Sequence, residues 1–512
     1  MITTLIYKHL YINPCNRFIC SFAFIFIFIL LLLPGIPYWP ILSMLFAFVF
    51  YVSFVDPILG LTFIAFAHSF SGIVRWKDPD SFLLAGFGTV FAILFILGYC
   101  FNVLLRLRFR IPILRGGWWA IKVLLLVWLS FSLLIVFNII GNWQGLTSVM
   151  MIREYIIPLL ILPFAISALY SSRRDCRLVL GALALGCSIV ALINIVHYIV
   201  GLPISLPRWV PKLNIMTGLS SEAPEFRLIY GDIALPRMMH VFGLSGAGAG
   251  GVYYITLAFT AFYLAVKMHS RVWKFSLYTG SAVNFIAGFF TLSFSIIVSA
   301  IFIVVFLSIA GHYRHRISRI SLRMAFAGIF IACLLFFLSP SLGEEYEKVA
   351  VLNYIANIWS TLVSPTLSGF DGFIIGDGLG LKSGAAIFAS DTTTPKGLFL
   401  TDQWLLVVLY QLGIVGFIMS LVLLILPAWM SNVLYNQGKD NEYDHYVLAA
   451  GVIIIGFLGF VHGSAVIERL FSTPVMLAIA IIIVAWRSNK LQRLPCVIES
   501  NKLGIERICK CG

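Results

Sequence analysis

Fourteen stretches of this chain are apolar for close to the twenty or so residues that a helix needs to cross the hydrocarbon core of a bilayer. They lie near 18–33, 39–55, 57–74, 82–104, 118–140, 148–170, 178–200, 246–266, 275–291, 294–311, 324–340, 403–429, 445–464 and 471–486. None shows the in/out alternation of a barrel strand, so each is expected to be a helix that satisfies its own backbone. Charge is scarce enough to agree: 11% of residues are charged against roughly a quarter in soluble domains. A soluble enzyme, a secreted disulfide scaffold and a disordered chain are thereby excluded. The expectation is an all-α polytopic integral membrane protein of about 14 (12–14) transmembrane helices.

The weakest divisions are those between the second and third spans, at Asp56-Pro57, and between the ninth and tenth, near Thr291 to Ile296. Losing one such pair would keep the span number even. Lys and Arg give the orientation, because cytoplasmic connections hold the excess. With the N-terminus inside, 23 of the 35 Lys and Arg fall on inner segments and ten on outer ones, which predicts both termini inside. The net charge of +14 is then an orientation signal and carries no implication of nucleic acid. The basic start followed by an apolar run leads into Pro34-Gly35-Ile36-Pro37 rather than a small-residue cleavage site, so it reads as a retained signal anchor. No cysteine falls in an outer connection, and no Cys/His spacing suggests zinc. Cys509 to Gly512 is not a prenylation box.

This organisation divides the chain into an N-terminal bundle of about seven spans (1–200), a first long outer loop (201–245), a central bundle of about four spans (246–340), a second long outer loop (341–402), a C-terminal bundle of about three spans (403–486) and a basic inner tail (487–512). Both loops are rich in aromatic residues and are expected to fold as caps, with 344–362 a candidate amphipathic helix. The first loop carries a net +1 and the second −4, so one can offer cations and the other carboxylates to a shared site.

In the first loop Arg237 and His240 precede the glycine-rich start of the eighth span, Gly246 to Gly251. Helix N–H groups there, with a guanidinium beside them, suit a phosphate; alternatively the glycines serve close helix packing. In the second loop Gly376-Asp377-Gly378-Leu379-Gly380 and Lys382 lead on to Asp402 and to Tyr410-Gln411-Leu412-Gly413-Ile414-Val415-Gly416 inside the twelfth span. The glycine triplet is not a dinucleotide fingerprint, since no strand precedes it. It is either an anion-binding backbone nest or a plain turn. Asp402 is a general base, a helix cap or both.

Arg153-Glu154 sits within the sixth span, and since adjacent residues on an α-helix do not face each other, Arg153 is a candidate for lining a cleft. Lys122 is expected to snorkel to the inner boundary. His68, His197 and His462 are isolated and read as packed or interfacial residues. Asp78-Pro79-Asp80, flanked by Arg75 and Lys77, reads as local ion pairing rather than a metal site. No Ser-His-Asp, Walker or HExxH pattern occurs in a water-exposed context.

These features together resemble the bacterial O-antigen polymerase and O-antigen ligase family. The resemblance lies in the two long loops, in Arg237 followed eleven positions later by Gly248, in the turn Gly376 to Gly380 before a Gly-Ile-Val-Gly helix, and in Thr291-Leu-Ser293-Phe-Ser295. Ligases of the family typically show a His where this chain has Thr401-Asp402-Gln403, which favours a polymerase; the second loop also lacks the arginine expected in some polymerases.

The resemblance implies a glycosyltransferase of the bacterial inner membrane, with both loops periplasmic, that joins polyprenyl-pyrophosphate-linked oligosaccharide repeat units. It implies Arg237, Asp402 and Asp377 as catalytic candidates, and Arg153, Arg227, His240, Gly248, Gly376, Gly378, Gly380 and Lys382 as substrate-binding candidates. No metal or cofactor is called for, because protein cations face the leaving group. A chain-length regulator and a flippase are the implied protein partners. The alternatives are a ligase that moves polymer to lipid A core, and a polysaccharide flippase or other transporter.

Overall fold

A computed structural model of the chain describes residues 14–32, 37–70, 87–106, 119–141, 143, 148, 152–170, 175–200, 227–230, 233–236, 247–266, 268–291, 294–309, 360, 369–376, 404–437, 443–458 and 472–493. Its helices are α1 (Pro14–Leu32), α2 (Tyr38–Val55), α3 (Pro57–His68), α4 (Phe87–Arg106), α5 (Trp119–Gly141), α6 (Ile157–Leu169) and α7 (Asp175–Val200). They continue with α8 (Ala247–Val266), α9 (Arg271–Phe290), α10 (Phe294–Ile309), the short α11 (Phe370–Ile375), α12 (Trp404–Gln437), α13 (Tyr443–Leu458) and α14 (Thr473–Arg493). Apart from α11, these fall in thirteen of the fourteen expected apolar runs; the run 324–340 and the candidate helix 344–362 lie outside the described residues, save Ser360.

Among the described residues, five helical segments are long and apolar enough to cross a membrane: Tyr38–Val55, Gly88–Leu105, Trp119–Gly141, Asp175–Val200 and Val408–Asn436. The helix surfaces agree with a lipid solvent, for Phe18, Phe137 and Phe275 are 74%, 69% and 72% exposed. Such apolar surface would be an aggregation hazard in water and is the ordinary exterior of a chain immersed in hydrocarbon.

The described residues are almost entirely helical, as expected of an all-α protein, with one short hairpin among them. Arg227–Tyr230 (β1) and Ile233–Pro236 (β2) form an antiparallel pair in which Arg227 faces Pro236 and Tyr230 faces Ile233. The two residues between them are Gly231-Asp232, a pair suited to a tight hairpin connection, and β1 is built from strand-favouring side chains. Helix counting passes over this signal because the segment is too short to span.

Both of the weakest divisions coincide with helix breaks. Asp56 is extended at φ −134°, ψ 90°; its N–H donates to Val52 O at the end of α2, and its carboxylate Oδ1 accepts from Leu59 N–H at 3.3 Å to cap α3. Pro57 fits because its missing N–H would have no partner in a first turn. Arg17 of α1 donates from Nε to Asp56 Oδ2 at 2.6 Å, and its Nη1 lies 3.8 Å from Asp175 Oδ1 in the first turn of α7. Both carboxylates sit at helix N-termini, where the macrodipole favours them. At the second boundary Thr291 closes α9 by donating from Oγ1 to Gly288 O at 2.8 Å, and α10 begins at Phe294.

One continuous apolar core joins the bundle, with α8 packed against α7, α9, α10 and α13. Glycines allow the helices to approach. A Cβ on Gly186 would lie 2.5 Å from Phe66 O, and one on Gly251 would lie 2.5 Å from Thr291 Oγ1. For Gly251 the packing reading of the glycine-rich helix start is therefore the observed one. Embedded polar groups pair across helices: Ser69 with the Tyr253 hydroxyl at 2.9 Å, Asn194 with Tyr254, Asn284 Nδ2 with Ser188 Oγ at 3.0 Å, and Tyr99 with Ser167 at 2.6 Å.

The Asp56 cap and ion pair separate experimentally. Asp56→Ala removes both and is expected to lower unfolding free energy by about 2 kcal/mol, whereas Asp56→Asn keeps a competent cap and loses about 1 kcal/mol, the pair being partly exposed at Arg17. Thermal unfolding in detergent micelles measures the order of the two variants.

Candidate functional site

The sequence motifs of the second loop and twelfth span meet in the structure. Six residues, Phe370–Ile375, form α11, which ends at Gly376 with φ +80°, a left-handed conformation that glycine alone adopts without strain. Gly376 N–H donates to Gly372 O at 3.0 Å, closing the helix. Across from it, α12 is not one continuous helix: Gly413 has φ +61°, ψ −167° and breaks it. The expected span near 403–429 lies within this helix, which is interrupted at Gly413 and continues to Gln437.

The two glycines are obligatory for a second reason. A Cβ on Gly376 would lie 2.5 Å from the carbonyl carbon of Gln411 and 2.6 Å from the nitrogens of Leu412 and Gly413; a Cβ on Gly413 would strike the carbonyl of Ile374. Backbone thus lies on backbone at a distance that no side chain permits. A helix break removes ladder hydrogen bonds, and within a membrane it is tolerated where protein covers it or where it lines a cavity. Here α11 packs on the break.

Gln411, two residues before the break, is 4% exposed, and its Oε1 is buried with no hydrogen-bond partner among the described residues. On α11, Phe370, Asp371, Phe373 and Ile375 are exposed. Sequence reading quoted Gln411 within its motif without ranking it and left Asp371 among the loop charges. The available signal was an uncharged polar side chain inside an apolar run, which in a membrane marks either a helix contact or a site.

Two other predicted positions are partly described. Ile152–Ile156 is a π-helical turn rather than the start of a single α-helix over 148–170; α6 follows, with Pro158 in its first turn and Pro163 inside it. Arg153 and Glu154 lie in that turn, so the α-helical spacing used to separate them does not apply. Their neighbour Tyr155 is buried, and the turn packs against α5 and α6. In the first loop, Arg227 heads β1 and faces Pro236 in register. Gly248 is the second residue of α8.

Arg237, His240, Asp377, Gly378, Gly380, Lys382 and Asp402 lie outside the described residues. The structure therefore brings Gly376 together with Gln411 and Gly413. Among the described residues no group of three His, Cys, Asp or Glu could hold a metal. His68 packs with its ring 6.1 Å from that of Tyr253.

No protein-family model and no curated protein matches the chain. The functional reading accordingly rests on the residues and their geometry.

Replacing either glycine tests the docking. Gly376→Ala and Gly413→Ala are each expected to cost about 2 kcal/mol or more, because both combine a positive φ with a backbone clash. The double variant is expected to cost less than the sum, since either change undocks α11. Gly369→Ala, where a Cβ meets nothing within 4 Å, serves as the control and is expected to stay within about 0.5 kcal/mol. Thermal unfolding in detergent supplies the readout.

Proposed function

We propose that this chain is a multi-pass glycosyltransferase of the bacterial inner membrane that polymerises polyprenyl-pyrophosphate-linked oligosaccharide repeat units at the periplasmic face. The observation that carries this reading is the contact between Gly376 and Gly413, which brings the first glycine of the second-loop turn onto the Gly-Ile-Val-Gly segment, two of the motif pieces on which the family resemblance rests.

A second line of support is sidedness. Residues that the basic-residue count assigns to inner ends lie together: Arg17 with Asp56 and Asp175, Arg487 over the Tyr170 ring at 4.4 Å, and Trp429 beside both Trp119 and Trp486. Residues assigned to outer ends also pair with one another, as in Tyr198 with Phe290 and Thr291 with Gly251. On this orientation the hairpin, the π-helical turn and α11 are periplasmic.

In the proposed reaction a hydroxyl oxygen of one repeat unit attacks the anomeric carbon of another. The anomeric carbon–oxygen bond to pyrophosphate breaks, the leaving group takes the bonding pair, and the hydroxyl proton passes to a carboxylate. Arg237 is the leading cation for the departing pyrophosphate, with Arg227, Arg153 or Lys382 beside it, because preorganised charge acts most strongly where charge develops. The β1–β2 register supports the Arg227 assignment, since Arg227 faces Pro236, to which Arg237 is covalently joined. Asp402 is the leading base, ahead of Asp377. The lipid tail lies against the exposed apolar faces of the bundle.

A second reading, a polysaccharide flippase, is favoured by the break in α12, because discontinuous membrane helices are common in transporters. Deleting the gene in its host and resolving surface polysaccharide by gel separates the readings. A polymerase deletion leaves lipid A core bearing one repeat unit. A ligase deletion leaves polymer on the carrier lipid, and a flippase deletion leaves single repeat units on the cytoplasmic face. An unchanged ladder contradicts all three. Within the polymerase reading, Arg237→Ala is expected to abolish the ladder in protein that is still expressed, with Arg237→Lys retaining a fraction of it; full ladders from both would remove Arg237 from the leaving-group role.

A further inference from the structure

Among the described residues, four buried oxygens of non-aromatic side chains lack hydrogen-bond partners: Gln411 Oε1, Asn284 Oδ1, Thr256 Oγ1 and Ser472 Oγ. They are not equivalent. Asn284 lies in the continuous α9 and already donates to Ser188, and Thr256 lies in the continuous α8 with its side chain against Gly456. Ser472 directly precedes α14, where its carbonyl accepts from Met476 N–H, and Gln411 alone of the four coincides with a broken helix, two positive-φ glycines and a short helix docked on the break. An orphaned amide oxygen and a helix break are each unfavourable in hydrocarbon. Their coincidence at one point is the pattern of a site kept for a ligand at the expense of stability.

The chemistry narrows the ligand. An amide oxygen accepts a hydrogen bond and therefore calls for a donor, not an anion. The adjoining α11 presents Phe370 and Phe373, two exposed aromatic rings, and the exposed carboxylate Asp371. A pyranose offers both halves of that match, an apolar C–H face for an aromatic ring and a rim of hydroxyls for an amide and a carboxylate.

We propose that Gln411 and α11 form a carbohydrate subsite in which Gln411 Oε1 accepts from a sugar hydroxyl when α11 moves off the break about Gly376. Gly376 joins α11 to the loop that follows and tolerates a backbone rotation that other residues resist. The movement is required because Oε1 is inaccessible in the docked arrangement. The identity of the ligand rests on the polysaccharide reading above; the existence of an orphaned, exposable acceptor does not.

Gln411→Met in the full chain tests the subsite, because it keeps the length of the side chain and removes the amide. If the oxygen awaits a ligand, the variant's thermal midpoint in detergent equals or exceeds that of the parent, while surface polysaccharide collapses to one repeat unit. A midpoint lowered by several degrees shows a structural partner and overturns the proposal, as does a full ladder with unchanged stability. If gene deletion itself leaves the ladder intact, the polysaccharide reading has failed, and Gln411→Cys decides the subsite alone. Labelling of position 411 by a water-soluble maleimide, located by peptide mass spectrometry, sustains an exposable polar subsite; absence of labelling overturns it.

Discussion

A peptide group in hydrocarbon has no water to bond, so each N–H and C=O of a spanning segment must find its partner within protein. In this chain that requirement is met by helices nearly everywhere, and the helices are apolar on most faces because their surroundings are lipid or other helices. The requirement also explains why the break at Gly413 is informative. Backbone freed from the ladder must be covered, and α11 provides cover at a separation that only glycine permits on both sides. Gly376, the first residue of the Gly-Asp-Gly-Leu-Gly stretch, and the distant Gly413 are thus parts of one contact.

Polar groups inside the bundle follow the same logic. Ser69 with Tyr253, Asn194 with Tyr254 and Asn284 with Ser188 hold neighbouring helices by hydrogen bonds that lipid cannot compete for. The ion pairs found among the described residues lie at one end, where Arg17 meets Asp56 and Asp175 and where helix N-termini stabilise the carboxylates. Gln411 stands apart from both patterns. Its oxygen is neither paired across a helix contact nor lodged at a charged end, and it adjoins the only helix break at a positive-φ glycine among the described residues.

Hydropathy made thirteen helices legible, including the two doubtful divisions. Asp56-Pro57 and Thr291 announce helix ends by residue type, through capping chemistry that acts locally. The hairpin was equally local and was missed because attention to spans passes over four-residue strands; Gly231-Asp232 was its signal. The break at Gly413 was not legible. Glycine in an apolar run reads as a packing residue, and only the approach of Ile374 from a separate segment shows that it adopts a left-handed backbone. The π-helical turn at Arg153 was hidden for a similar reason, since α and π turns are built from the same residue types. Of the charged candidates, the sequence alone singles out Arg237, Asp402 and their neighbours.

The proposed function requires that the ends of the bundle face opposite sides of the membrane, with Arg271 at the cytoplasmic end and α11 at the periplasmic one. Both Arg271 and Asp371 are exposed, so cysteine can replace each in turn without burial interfering. In intact cells with a permeabilised outer envelope, a membrane-impermeant maleimide is expected to modify the Asp371→Cys protein directly and the Arg271→Cys protein only after the inner membrane is opened, with peptide mass spectrometry locating the label. Modification of both positions, or of neither, before the inner membrane is opened would put them on one side and contradict the account.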